Sequence, residues 1–246
     1  MDNKELFSLK SEDYSRFRPS YPECAARWLK QNCSGERVAD IGAGTGFFTK
    51  VLIPYFKDVC AVEPNAAMRK KFSCFLPQIP CSGGSGEDTK LADSSIDLIT
   101  VAQAFHWLDE EKFKREAMRI LTLQGKVAIV WNTSLKNDFT ISRDEVCKKY
   151  CPRFSSGYAG KRTPAEGDHF LRHVYFKEVE FISFANPHKM TKEEFIGNMR
   201  SRSYALTADA PSYSDFIDEL NKVFAEHAAN GIVTEPIETQ IYLGKF

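Results

Sequence analysis

The sequence predicts an α/β fold built on a doubly wound, mostly parallel sheet of seven strands. Three observations carry that prediction. Short apolar runs alternate with amphipathic segments through the first half of the chain, the pattern of strands covered on both faces by helices. One run, Val38-Ala39-Asp40-Ile41, passes directly into a turn containing Gly42, Gly44 and Gly46. The segment after the turn, with Phe48, Val51, Leu52 and Tyr55, has helical spacing. Strand, glycine turn and helix in immediate succession make a place where backbone comes unusually close to a ligand.

The remaining elements follow in order. Residues 1–20 form a polar arm with Phe7, Tyr14, Arg16, Phe17 and Arg18 interleaved, and Pro19 and Pro22 close it. Pro22 suits the first turn of a helix running to about Gln31. Strand 37–42, helix 46–56, strand 57–62 and a helix over 65–75 come next, the last with Met68, Phe72 and Phe75 on one face. A short strand at 79–82 precedes the loop Gly83-Gly84-Ser85-Gly86. Strand 96–102 leads to helix 109–121, where Phe113, Ala117, Ile120 and Leu121 keep one apolar face. Gly125 then punctuates the chain before strand 126–131.

From residue 134 to 167 the pattern breaks, with one helix at 142–150; we read this stretch as a lid-like insertion over the mouth of a site. A strand at 174–184, helices 191–200 and 212–228, and a last strand at 237–246 complete the chain. The two late strands finish the sheet as an antiparallel C-terminal edge pair. The expected organisation is a single domain: arm and helix 1–31, ligand-binding core 37–132, lid insertion 134–170, and C-terminal strands and helices 174–246.

Composition narrows the function. The chain has 246 residues, 43% of them hydrophobic, with 33 basic and 33 acidic side chains. That balance gives no electrostatic footprint for nucleic acid or an anionic membrane. Its seven cysteines are odd in number and form no Cys-x-x-Cys pair, which points to buried free thiols in a reducing compartment. Cys147 and Cys151, and likewise His169 and His173, are spaced four apart but lack a matching second ligand pair, so no metal site is expected. The start has no apolar signal region and no run approaches the roughly 20 apolar residues of a membrane span. The expectation is a soluble, cytoplasmic protein.

The glycine turn alone does not name its ligand. A dinucleotide fingerprint would place its third glycine at position 47, where Phe47 stands. The spacing found is Gly-x-Gly-x-Gly, with Asp40 two residues before it. Glu63 is more informative: it ends the next strand, 17 residues beyond Gly46, and is followed by Pro64. A carboxylate there accepts hydrogen bonds from ribose hydroxyls, although a solvated strand-end acid is the simpler alternative. In parallel sheets ligands bind outside the carboxyl ends of the strands, where Gly42, Glu63, Glu87 and Gln103 all fall.

Asp40-Ile41-Gly42-Ala43-Gly44-Thr45-Gly46, with Val62-Glu63-Pro64-Asn65 and Met68, resembles the first two motifs of class I S-adenosylmethionine-dependent methyltransferases. Residues 96–107, ending Gln103-Ala104-Phe105-His106-Trp107, are similar to the fourth-strand motif of a small-molecule branch, the type 11, trans-aconitate methyltransferase-like proteins. Tyr14 to Pro22 resembles that branch's N-terminal segment. The resemblance covers residues 10–132 and implies a Rossmann-like fold with S-adenosylmethionine as cofactor. It implies methyl transfer to a small molecule by in-line displacement, which needs alignment and water exclusion rather than a nucleophile triad.

Residue by residue, the resemblance implies that Gly42, Gly44 and Gly46 pass the cofactor's methionine and ribose portions. Asp40 holds the loop, or the donor's ammonium through water. Met68 accompanies the Glu63 motif, Gly86 and Glu87 read adenine, and Gln103 meets the cofactor near its reactive centre. Tyr14 and Arg18 fold over the methionine end. His106 is the candidate acid, base or orienting group, with a packed core histidine as the alternative. Trp107, Trp131, Arg200 and Tyr204 are expected on the acceptor side. The resemblance implies a carboxylate acceptor, which Arg18, Arg200 or Arg202 would clamp. A nicotinamide-dependent oxidoreductase and a non-catalytic S-adenosylmethionine-binding module remain open alternatives.

Overall fold

The computed structural model describes residues 17–154 and 162–246. Its strands are β1 (Arg37–Ile41), β2 (Asp58–Val62), β3 (Cys81–Ser82), β4 (Ile96–Ala102), β5 (Leu121–Ser134), β6 (Glu178–Ala185), β7 (His188–Met190), β8 (Val233–Glu235) and β9 (Ile237–Lys245). Seven of them form one sheet in the order β3-β2-β1-β4-β5-β9-β6. β1 runs parallel to β2 and to β4, with Ile41 opposite Val62 and Asp40 opposite Thr100. β9 is antiparallel to β6: Lys177 N–H donates to the Lys245 carbonyl at one end, and Asn186 N–H to the Ile237 carbonyl at the other. The fold is therefore the mostly parallel seven-stranded sheet that the sequence predicts. Within the antiparallel pair that finishes it, β9 lies inside and β6 on the rim.

The helices are α1 (Glu23–Asn32), α2 (Phe47–Leu52), α3 (Ala66–Phe75), α4 (Glu110–Ile120), α5 (Asp138–Tyr150), α6 (Pro164–Phe170), α7 (Lys192–Arg200) and α8 (Tyr213–His227). Alternate residues of the central strands serve opposite faces of the sheet. Ala39, Ile41, Ile99 and Val101 pack with Phe113, Ala117 and Ile120 of α4. Val38, Leu98, Ala128 and Val130 pack with Ala25, Ala26 and Leu29 of α1 and with Phe48 and Leu52 of α2. Burying both faces explains why these strands read as near-continuous apolar runs.

The chain divides into two compact units. One comprises residues 20–132, the described part of 157–184, and 239–246, and contains most of the large sheet. The other comprises the described residues up to 19, residues 133–154 and 185–238. This second unit has its own core, in which Phe139 and Cys147 of α5, Phe195 and Met199 of α7, and Phe216 and Leu220 of α8 meet. A small antiparallel ladder pairs β7 with β8, from His188 opposite Glu235 to Met190 opposite Val233.

Several boundaries differ from the sequence reading. The helix expected over 46–56 stops at Leu52, just before Pro54. The strand expected at 126–131 is the middle of a longer β5, whose pairing with β4 shifts register between Ile96 and Leu98. The helix expected at 142–150 begins at Asp138, because Asn137 and Thr140 cap it reciprocally. The strand expected from 174 begins at Glu178. Residues before it are helical: Thr163 and Glu166 form a capping box with Pro164 at the first turn, and a π turn covers Leu171–Tyr175. Leu171 and Tyr175 are both buried, so their four-residue spacing serves a helical face instead of a strand.

Candidate active site at the strand ends

β1 delivers Asp40 into the interior, where it is 1% exposed. Its two carboxylate oxygens accept the hydroxyls of Thr49, at 2.6 Å, and Thr100, at 2.8 Å. Burial lifts its pKa to about 6 against the lowering effect of those hydroxyls. Asp40 thus ties β1, β4 and the start of α2 together. With both oxygens engaged inside the protein, this geometry favours its loop-holding role over direct contact with a ligand.

The three glycines of the turn all have positive φ, but they face different things. A Cβ on Gly42 would lie 2.7 Å from the Ala104 Cβ, and one on Gly46 would lie 2.8 Å from Leu76. A Cβ on Gly44 would meet nothing within 4 Å. Gly42 and Gly46 are therefore required by packing, whereas Gly44 borders open space at the strand end. Gly44 is the one that would admit a ligand against bare backbone.

Glu63 follows β2 and is 7% exposed. One of its oxygens accepts Gly44 N–H at 2.8 Å and the other accepts Asn65 N–H at 2.8 Å. Burial raises its pKa, and the two backbone donors and nearby Arg69 partly offset that rise. Arg69 also clips the strand end by donating to the carbonyls of Glu63 and Pro64, at 2.8 and 2.9 Å. Asn65 caps α3 through the N–H groups of Ala67 and Met68, which leaves the Met68 side chain buried in the helix face.

Gly86 is buried against Leu108 and Ile41, and a Cβ there would come within 2.8 Å of Leu108. Glu87 beside it accepts the N–H of Asp109 at 2.9 Å, immediately before α4. Gln103 stands just past β4 with φ of 55°. That is a left-handed conformation rarely held by a non-glycine residue and frequent at functional sites. Its Nε2 donates to the Asn132 carbonyl at 3.0 Å, which pins the end of β4 to β5. The sequence supplies no signal for this backbone strain.

The acceptor-side residues separate into two groups. A short 3₁₀ turn, Phe105–Trp107, places His106 in a stack on Trp131, with ring centroids 5.2 Å apart. Trp107 is 40% exposed, whereas Trp131 is 5% exposed. Arg18, Arg200 and Tyr204 belong to the second unit. There the Arg18 guanidinium donates to the Ser201 carbonyl at 3.3 Å, Arg200 ends α7 at the surface, and Tyr204 packs edge-on against Phe154. Arg202 donates to Asn198 Oδ1, and Asn198 donates in turn to the Phe17 carbonyl at 2.7 Å. Tyr14 lies outside the described residues.

The first unit also contains a solvent-open hollow that no sequence motif marks. Phe105, His106, Trp131, Phe170 and Tyr242 form its aromatic walls. Arg162 and Glu110, both at the hollow, are joined through two parallel contacts of 2.5 and 2.9 Å. They stand 52 residues apart in the chain, so no local pattern could have paired them.

The methyltransferase-domain family matches residues 39–129, from β1 through most of β5. An uncharacterized methyltransferase of Mycobacterium tuberculosis is 32% identical over 216 residues, covering 88% of this chain and 84% of that one.

The chain belongs to the S-adenosylmethionine-dependent methyltransferases.

Solved structures agree on the fold of this methyltransferase. A protein of Anaeromyxobacter dehalogenans classed as a type II methyltransferase superposes with a TM-score of 0.70 at 22% identity, over 93% of this chain and 98% of that one. A phosphoethanolamine N-methyltransferase of Haemonchus contortus, solved with phosphomonomethylethanolamine and S-adenosylhomocysteine, gives 0.55 at 12% identity, over 100% of this chain and 60% of that one. At these identities the likeness is one of fold.

Proposed function

We propose that this methyltransferase uses the strand-end cradle to bind S-adenosylmethionine and methylates a small-molecule acceptor. The observation that carries the reading is the pairing of Gly44 with Glu63. Gly44 faces open space, and the carboxylate that holds its N–H sits where a sugar diol would lie. Each Glu63 oxygen accepts one backbone N–H and keeps a further lone pair for a ribose hydroxyl. Gly86 and Glu87 border the adenine, and Gln103 brings the end of β4 toward the reacting centre. Met68, buried in α3 just after Asn65, supports this wall from behind Glu63.

The cofactor supplies a methyl group already bonded to a good leaving group, the sulfonium sulfur. The protein's task is then alignment of the acceptor atom and exclusion of water. In this reading His106, which stacks on Trp131, orients the acceptor or takes its proton.

Calorimetric titration with S-adenosylhomocysteine and with NADH tests the reading. Binding of the first and not the second is expected. Binding of NADH alone would favour an oxidoreductase. Binding of S-adenosylhomocysteine without transfer of labelled methyl from S-adenosylmethionine to any acceptor in a broad panel would favour a non-catalytic module.

A further inference from the structure

We infer that the hollow beside His106 takes the acceptor, and that the part of the acceptor entering it is a planar, uncharged group. This rests on the methyl-transfer reading above and names the acceptor class for that site. Three observations carry it.

The first is continuity with the cofactor cradle. Ala104 packs against Gly42, which has no room for a Cβ there, and Trp107 N–H donates to the Ala104 carbonyl at 2.9 Å. The turn that walls the hollow with Phe105 and His106 is therefore anchored directly on the glycine loop. A group held in the hollow lies next to the end of β4, where an in-line displacement needs it.

The second is the wall. Phe105, His106, Trp131, Phe170 and Tyr242 present rings to the space, a lining that favours a flat apolar body with few polar groups.

The third is charge. Among the described residues lining the hollow, Arg162 carries the one guanidinium, and Glu110 already holds it through two contacts. The guanidinium carbon also lies 3.6 Å from the Phe170 ring centroid. The Glu110 backbone is fixed as well, because Tyr175 donates its hydroxyl to the Glu110 carbonyl at 3.0 Å. A carboxylate entering the hollow would have to displace Glu110 from Arg162 or sit beside it with the same charge, and either course is unfavourable. A neutral group meets a compensated pair and needs no such exchange. The acceptor class inferred is thus a neutral ring-bearing molecule, in place of the carboxylate that the resemblance implies.

The test compares two probes of equal shape, 4-hydroxybenzamide and 4-hydroxybenzoate, titrated into the full chain with S-adenosylhomocysteine present. The amide is expected to bind at least about tenfold more tightly than the anion. In Glu110→Gln, which keeps an oxygen for Arg162 but removes the compensating charge, the anion should gain at least about tenfold. The amide should stay within about threefold. Adding Arg162→Met should abolish the anion's gain. The inference is overturned if the wild-type protein prefers the benzoate, if it binds neither probe up to the solubility limit, or if Glu110→Gln leaves the ratio unmoved. The wild-type comparison stands even if a variant fails to fold. If S-adenosylhomocysteine itself does not bind, the methyl-transfer reading falls and takes the inference with it; if it binds and the benzoate is preferred, only the inference falls.

Discussion

Gly44 N–H donates to the Glu63 carboxylate at 2.8 Å, so the glycine turn after β1 and the acid after β2 form one rigid edge. The parallel register makes this possible: Ile41 lies opposite Val62, and each strand then releases its next residues side by side. The second Glu63 oxygen holds Asn65 N–H, so the same acid also fixes the start of α3. A residue that organises two loops at the proposed donor site gives a sharp experimental handle.

Replacing Glu63 by Gln removes the charge and one acceptor while keeping the shape. Affinity for S-adenosylhomocysteine should fall at least about tenfold, the scale of a lost hydrogen bond to a charged group. Calorimetry of the folded variant checks this. Unchanged affinity would remove Glu63 from the proposed donor site.

Gly44→Ala and Gly42→Ala should part company. Both place a side chain at positive φ, which costs roughly 1–2 kcal/mol. Gly42→Ala adds a contact at 2.7 Å with Ala104 and should destabilise the fold further, whereas Gly44→Ala has room for its methyl. Urea unfolding should therefore show the larger loss for Gly42→Ala. S-adenosylhomocysteine binding should be lost in the well-folded Gly44→Ala protein. Retained binding in Gly44→Ala would contradict the placement of the ligand against that residue.

Asp40 makes stability depend on pH in an unusual sense. Burial raises its pKa from the usual 3.8 to about 6, so the folded state holds the proton more tightly than the unfolded state does. Its contribution is full below about pH 4 and is lost as pH rises through about 6, an effect of about 3 kcal/mol. Measured by urea unfolding between those pH values, the wild-type protein should lose stability relative to Asp40→Asn by that order. Parallel curves for the two proteins would show that Asp40 is not perturbed.

Glu235 acts in the opposite direction. It is 1% exposed in β8 and bound to Arg143, with Arg202 at 3.7 Å. Burial works to raise its pKa, but the two guanidiniums prevail and hold it at about 2. A carboxyl with a depressed folded pKa contributes stability above its unfolded value, near pH 4.5, and loses it as pH falls toward 2. Arg143→Met would leave Glu235 and Asp144 without this partner and should cost roughly 3–5 kcal/mol at neutral pH. The penalty should shrink on acidification, which chemical denaturation at pH 7 and pH 4 can follow. An equal loss at both pH values would point to packing instead of charge.

Gln103→Gly relieves the left-handed strain but frees the end of β4 from Asn132. Thermal unfolding should stay within about 1 kcal/mol of wild type, because relief of strain offsets the lost hydrogen bond. S-adenosylhomocysteine affinity should nonetheless drop several-fold. If affinity holds, the strained backbone has no part in the site.

By itself the sequence determined the α/β alternation, the covered parallel strands and the meeting of the glycine turn after β1 with Glu63 after β2. These are legible because they depend on local periodicity and on short spacings that a parallel register brings together at one sheet edge. The tertiary structure alone decided that Asp40 turns inward to Thr49 and Thr100, that Gln103 is strained, and that Arg162 meets Glu110 beside the rings of His106 and Trp131. It also decided that 138–150 joins 192–227 in a second core, with Arg18 and Arg202 held at the end of α7. Those outcomes depend on which distant segments bury their side chains against each other, and contacts of long sequence separation leave no periodic trace in the chain.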